Sequence, residues 1–519
     1  MNMKKSLLSH LLVLAILIVF VSACSKKAEY TNVIPADASV VAINVKTLAE
    51  KAGVKDKENK EVLTKLTDAL KSGMKADTYQ QLEAIMKDPS KSGVDINVPI
   101  YIFTSPSLNT TVAGVLKVTN EKDLHIFLKA MEKEQVCTAI EKADNYSFVK
   151  IDNQTLIAFT PSTLLIVSYN NNSQLEKVKK DISTLLKQTE TSSISSKPTF
   201  LKMQKQSGDI NFLVSFSSIF GEYFKQINYA MPKDIDLKGL TLIGNLSFEK
   251  GKISLDAENY TENVELKTIL EKQAKSTLPI ENTFLKYFPK STLALVSMGI
   301  NGEEFYKLLQ ENETFRNNFS ISKAAEVKDL FSIFQKDITI GLVNITMSNN
   351  APTFLAYASV NNDSSLQALY EKKDELKLGN KEDIVKLGEN EYVYKSRSIN
   401  IFFGIHDKQL YATNDELLYK NICKPIDPSA KDTGYASVIK GKHSAFIVNV
   451  EAILALPIVK MLTSYGGKEY AIYYALADKI SYLDITGKNM KSNLTLQLKD
   501  KEVNALKQIV DFIKEFAGM

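Results

Sequence analysis

Short apolar runs with alternating flanks recur along the chain and predict strands, and apolar residues at three- and four-residue spacing predict helices between them. Val40-Val41-Ala42-Ile43 and Leu293-Ala294-Leu295-Val296 read as strands, the first followed by a lysine-rich helical region at Val62 to Leu70 and Tyr79 to Met86. Ile100 to Phe103 and Val112 to Val118 read as a hairpin that leads to a helix from Glu121. Asn120 before it, with Asp123 three residues on, is a capping arrangement that satisfies free helix amides. Strands arrive in adjacent pairs between Lys150 and Ser168, which implies hairpins. At the end of the chain, strand Leu494 to Leu498 precedes a helix from Val503 to Phe516, with Leu506, Ile509, Val510 and Ile513 expected on one buried stripe. The pattern predicts an α+β fold of largely antiparallel sheets with helices packed on one face.

The pattern occurs twice. Shifting Asp95 to Met131 by 242 residues lands on Asp337 to Lys373 without a gap and matches Asp95 with Asp337, Thr111 with Thr353, Asn120 with Asn362 and Leu124 with Leu366. Tyr146 to Ile151 and Leu156 to Ser168 correspond to Glu391 to Ser396 and Ile401 to Thr413, and Phe212 matches Phe446. Both halves begin with a proline before a strand, Pro35 and Pro289. Two related tandem copies are expected, at 34–279 and 280–519, after a signal at 1–23 and a tether at 24–33.

Residues Leu11 to Val21 form an apolar run behind Lys4 and Lys5, and Val21-Ser22-Ala23-Cys24 follows. As a helix, the run reaches roughly 16 Å, well short of the roughly 30 Å hydrocarbon core, so it reads as an export signal rather than a membrane span. A cysteine directly after small residues resembles a lipoprotein signal. The resemblance implies diacylglyceryl transfer to the Cys24 thiol, cleavage between Ala23 and Cys24, and acylation of the new amine. Two or more acyl chains hold a protein stably, at about 0.8 kcal/mol per buried methylene. The polar stretch Ser25 to Asn32 spans no more than roughly 28 Å, which keeps the folded part close to the membrane. Ser25 after the lipidated cysteine resembles outer-membrane sorting, so the expected place is the periplasmic face of the outer membrane, with surface exposure left open.

The formal net charge is +4, and removing Lys4 and Lys5 with the signal halves it, too balanced for nucleic-acid binding by phosphate neutralisation. After Cys24 only Cys137 and Cys423 remain, which reads as two separate buried thiols rather than a disulfide framework. His125, His406 and His443 stand alone without a second ligand at metal spacing, so neither a metal nor a cofactor is expected. Gly466-Gly467 lacks the Lys-Ser/Thr ending of a phosphate loop, and no serine stands in a nucleophile-elbow pattern. Glu303, Glu304 and Asp484 read as solvated carboxylates rather than an acid and base pair, and no catalytic residue is expected.

One apolar stretch stands out. Ala452 to Val459, broken only by Pro457, continues to Met461-Leu462, with Tyr465, Tyr470, Tyr473 and Tyr474 soon after. Core helices interrupted by proline explain it; alternatively Ile453, Leu456, Ile458, Met461 and Tyr465 form an apolar binding surface.

The signal, the start Tyr30-Thr31-Asn32-Val33-Ile34-Pro35-Ala36-Asp37-Ala38, the strand end at Asn44 and two related halves together resemble a Bacteroidota cell-envelope lipoprotein family carrying a domain of unknown function. The resemblance implies an envelope location and supplies no catalytic residues. The expected function is therefore noncatalytic binding of a protein partner or a hydrophobic small molecule in the envelope, with the membrane contacted through acyl chains on Cys24. A hydrolase with a site between the copies and a structural spacer stand as alternatives.

Overall fold

The computed structural model describes residues 29–54, 56, 60–217, 237–311, 328, 331–346, 351–362, 365–371, 373 and 382–517. The signal, Ala23 and Cys24 lie outside them. The chain is α+β, and every described strand pairing is antiparallel. Among the described residues no helix is long and apolar enough to cross a membrane.

It divides into two compact units. Of the described residues, unit 1 holds those within 1–215, 241–250 and 503–519, and unit 2 those within 216–240 and 251–502. The strands of unit 1 are β1 (Ser39–Ile43), β2 (Val94–Asp95), β3 (Ile100–Thr104), β4 (Val112–Val118), β5 (Glu141–Lys142), β6 (Ser147–Lys150), β7 (Thr155–Phe159), β8 (Thr163–Ser168), β9 (Ile210–Ser215) and β10 (Leu240–Glu249). They pair in the order β5, β6, β7, β8, β4, β3, β1, β9, β10, and β2 continues the β3 side of β4. Helices Ala76–Lys87 and Glu121–Lys133 bring Leu82, Leu124 and Leu128 onto Val118, Val149 and Leu164. Asn120 caps the second helix by accepting from the amides of Lys122 and Asp123. Its side-chain NH2 also donates to the Asp123 carboxylate, so Asp123 grips the capping side chain rather than the backbone amide.

The strands of unit 2 are β11 (Lys252–Thr261), β12 (Thr277–Leu278), β13 (Ala294–Asn301), β14 (Phe334–Asn344), β15 (Thr353–Val360), β16 (Asp383–Gly388), β17 (Glu391–Lys395), β18 (Asn400–His406), β19 (Gln409–Thr413), β20 (Ser444–Asn449), β21 (Ile480–Lys488) and β22 (Lys491–Leu498). Their order is β16, β17, β18, β19, β15, β14, β13, β20, β21, β22, β11. Through β21 this is the succession of unit 1 repeated. Pro35 bridges Ser193 in unit 1, and Pro289 bridges Ser429 in unit 2. The core of unit 2 centres on Tyr357, whose ring stacks on Phe284 at 5.5 Å and meets Tyr287 at 4.9 Å. Gly341 on β14 makes room for this layer, because a Cβ there would stand 2.7 Å from the Phe288 ring.

The units cut across the stretches 34–279 and 280–519 rather than along them. β11 belongs to unit 2 because it pairs with β22 from Lys252↔Gln497 to Glu258↔Lys491. The last helix, Ala505–Ala517, belongs to unit 1, where it packs on helix Val45–Lys51. Asn504 before it accepts from the Leu506 amide at 2.9 Å and donates to the Phe248 carbonyl at 3.0 Å. The buried stripe of that helix also corrects the expected one. Ala505 and Phe512 are buried, Leu506, Ile509 and Val510 are half-buried, and Ile513 is 54% exposed. The stripe turns onto Phe512 because that ring packs against Phe516 at 4.5 Å, which leaves Ile513 on the outer side.

Candidate apolar binding surface

Between β20 and β21 the chain forms three helices, Val450–Ala455, Pro457–Tyr465 and Gly467–Asp478. The sequence dictates each break. Asn449 starts the first helix by accepting from the Ala452 amide at 3.1 Å, and its side chain also donates to the carbonyls of Lys290 and Thr292. Leu456 is extended, at φ −60 and ψ 134, because the following proline disfavours a helical residue before it. Pro457 then opens the second helix at its first turn, where its missing amide costs nothing. Gly467 has φ +71, a left-handed conformation in which a side chain would be strained, and it turns the chain into the third helix.

Helices Val450–Ala455 and Gly467–Asp478 pack on β21, and Leu454 is buried. Of the five residues expected to form the surface, Ile453, Leu456 and Ile458 are half-buried, whereas Met461 and Tyr465 are exposed. The structure joins to them Leu462, Tyr470, Ile472, Tyr473 and Leu476, all exposed. Tyr465 and Tyr473 reach 85% and 71% exposure. Ile472 and Leu476 went unread because they sit in a run of alanines and tyrosines without a dominant apolar stripe. Their signal is that apolar residues lie all round that helix, which is the mark of an element that needs a partner.

Among the described residues, unit 2 has open clefts, of which two bear on this site. The larger, about 680 Å³, is bounded by Pro289, Asp427, Tyr435, Asn449, Glu451 and Tyr482. Its tyrosine walls, Tyr435 and Tyr482, meet edge to face at 5.6 Å. Asp432 on its lining accepts from the amide and hydroxyl of Ser429 at 2.9 and 3.0 Å, which holds its carboxyl below the usual range. The smaller, about 510 Å³, lies beside Asn344, Thr353, Leu417 and Lys424. Neither lining contains a histidine or a cysteine.

The other residues weighed for chemistry are dispersed. Glu303 and Glu304 both pair with Lys307, at 3.3 and 2.8 Å. His443 Nδ1 lies 2.9 Å from the Thr277 hydroxyl, and burial lowers its pKa. His125 packs edge-on against Phe159, and His406 stands 3.4 Å from Asp407. Cys137 and Cys423 are free thiols, each pushed up to about 11 by burial. Among the described residues no group of three or more His, Cys, Asp or Glu is placed to hold a metal ion. Asp484 is not solvated, contrary to expectation. It faces inward on β21, 1% exposed, and burial pushes its carboxyl up to about 6.

A family model described as a domain of unknown function, DUF4836, matches residues 30–506, a span that contains the three helices and every described strand. The chain belongs to this family. No curated protein matches it. Two solved structures of TP0453 are similar over part of the chain. Crystal form IV has 9% identity and a TM-score of 0.25, with 45% of this chain and 81% of that chain covered. Crystal form III has 11% identity and a TM-score of 0.26, with 49% and 90% covered.

Proposed function

We propose that this member of the family is a cell-envelope lipoprotein that binds an apolar partner, a hydrophobic small molecule or a protein, and catalyses no reaction. In this reading it is built from two related copies, Cys24 carries the acyl chains, and the short polar tether holds the folded body beside the outer membrane. The observation that carries the reading is the exposed apolar segment Met461 to Leu476. Its exposed side chains are large and adjacent along the chain, and soluble monomers seldom leave such patches uncovered without a binding role. Tyrosine suits the purpose, since its ring gives apolar contact area and its hydroxyl tolerates water when the surface is empty.

A photo-crosslinking amino acid placed at Tyr473 in intact cells tests the reading. The expected result is one discrete adduct, identified by mass spectrometry, that is absent when the same group stands at the exposed Lys122. Equal diffuse labelling from both positions would remove the segment as a binding surface.

A further inference from the structure

The sheet of unit 2 carries a second apolar surface that the sequence did not announce. Ladder register places Ile340, Val296, Phe446, Ile485, Leu494 and Leu255 in one row across β14, β13, β20, β21, β22 and β11. A parallel row runs from Leu342 through Val448 and Leu483 to Ile253. Val296, Met298, Ile340, Phe446 and Ile485 remain between 37 and 47% exposed. The opposite, inward face of the same strands buries Asp484, Thr486, Ser297 and Thr339. Antiparallel sheets normally alternate apolar inward and polar outward; here the inward face mixes these polar groups with buried Leu295, Ala445 and Ile447, and the outward face is apolar as well.

The apolar face is already covered at its other end. Over β15, β17 and β18, Leu366 of helix Ser365–Glu371 packs with Val360, Tyr392 and Ile405, all buried. The register continues from there onto the open strands, through Ile405↔Leu410, Leu410↔Ala358, Ala358↔Ile338 and Ile338↔Met298. Among the described residues, the open part is thus an extension of that core surface beyond helix Ser365–Glu371.

We infer that this open face is a binding floor for a long-chain acyl lipid. The inference rests on the apolar-partner reading above and names the partner's chemistry. The two rows contain no polar side chain. The backbone offers little either, because β14, β13, β20, β21 and β22 each pair on both edges. A peptide, a sugar or a nucleotide would bring donors and acceptors that find no match on such a floor, whereas an acyl chain brings none. Area argues the same way. Six strands about 4.8 Å apart and side chains over about 13 Å of strand make a floor of roughly 300 Å², well below the roughly 800 Å² per partner of a standard protein interface or dimer.

The test is titration of the chain from Ser25 onward, which contains every described residue, with the fluorescent fatty acid cis-parinaric acid. Saturable binding is expected, weakened about tenfold or more by Val296→Thr, Ile340→Thr and Ile485→Thr together, with far-UV circular dichroism and melting unchanged. Threonine keeps the β-branched shape that strands favour, and all three positions are partly exposed. Should the triple variant melt early, Ile340→Thr alone, at the most exposed of the three, is expected to show a smaller loss. A Val264→Thr variant, at an apolar position 78% exposed and outside both surfaces, is expected to bind the acid normally. Absence of saturable binding, or unchanged affinity in the sheet variants, overturns the floor. So does a concentration-dependent dimer that the sheet substitutions abolish, because a second copy would then occupy the face. A Tyr473 adduct in cells without acid binding also overturns the floor and leaves the apolar-partner reading standing. Acid binding at the floor without that adduct supports the floor and removes the helical surface.

Discussion

Asp484 shows how a single side chain sets a pH response. It lies in register with Ile447 and Thr495, Oδ1 has no hydrogen-bond partner, and the nearby charges of Lys442 and Lys252 only partly offset the burial that raises its pKa to about 6. A carboxyl raised in the folded protein favours folding while it is protonated. Its contribution is therefore greatest below the ordinary value near 3.8, falls as pH rises from about 4 to about 6, and is level above that. Asp484→Asn removes the titration. Denaturant midpoints measured from pH 4 to 8 are expected to show the variant gaining on the parent by up to about 3 kcal/mol over that window. An unchanged pH slope in the variant would assign the response to another group. Buried Asp337 is a contrasting carboxylate, since the amides of Glu281 and Thr283 donate to it at 2.8 and 2.9 Å. Asp484 stands between Leu483 and Ile485 and Asp337 between Lys336 and Ile338, and tertiary packing rather than this local sequence decides which of them finds amides.

At the scale of elements, much was legible where local chemistry decides. Asn120 before a periodic apolar run marked a helix start, and Pro457 marked the break in the apolar segment, whereas the turn at Gly467 went unread. Alternation located β3 and β4, which bury alternate residues, and also the β6 to β8 hairpins, where neighbouring residues on both faces are buried. Partner choice was not legible. β22 reads as the neighbour of the final helix, yet β22 pairs with β11 in unit 2 while the helix packs in unit 1. Neither strand periodicity nor helix amphipathicity specifies which sheet edge or core an element joins. This assignment predicts that truncation after Glu502 raises amide hydrogen exchange along helix Val45–Lys51 and leaves β20 and β21 as protected as before. Equal loss of protection in both places would contradict it. The reversed alternation of β21 was also invisible, since Leu483-Asp484-Ile485-Thr486 reads as a strand with Leu483 and Ile485 inward. A sheet that is apolar on its outer face as well as in its core is recognised only when the register of its strands is known.

At the scale of the molecule, two features belong to one account. Among the described residues, an apolar helical segment and an apolar sheet face, both in unit 2, are exposed, and the anchor proposed at Cys24 would hold the chain where apolar partners are abundant. The repeated pairing order supports an origin by duplication. Unit 2 differs in having β22 and then β11 beyond β21, which lengthens its row of strands. The most direct measurement is organic extraction of the chain purified from the cell envelope without detergent, with Cys24→Ser so that the anchor contributes no lipid, followed by mass spectrometry. The account predicts a hydrophobic molecule recovered near one per chain and lost on Val296→Thr, Ile340→Thr and Ile485→Thr substitution. Recovery of none, or of the same amount from the substituted chain, would contradict it.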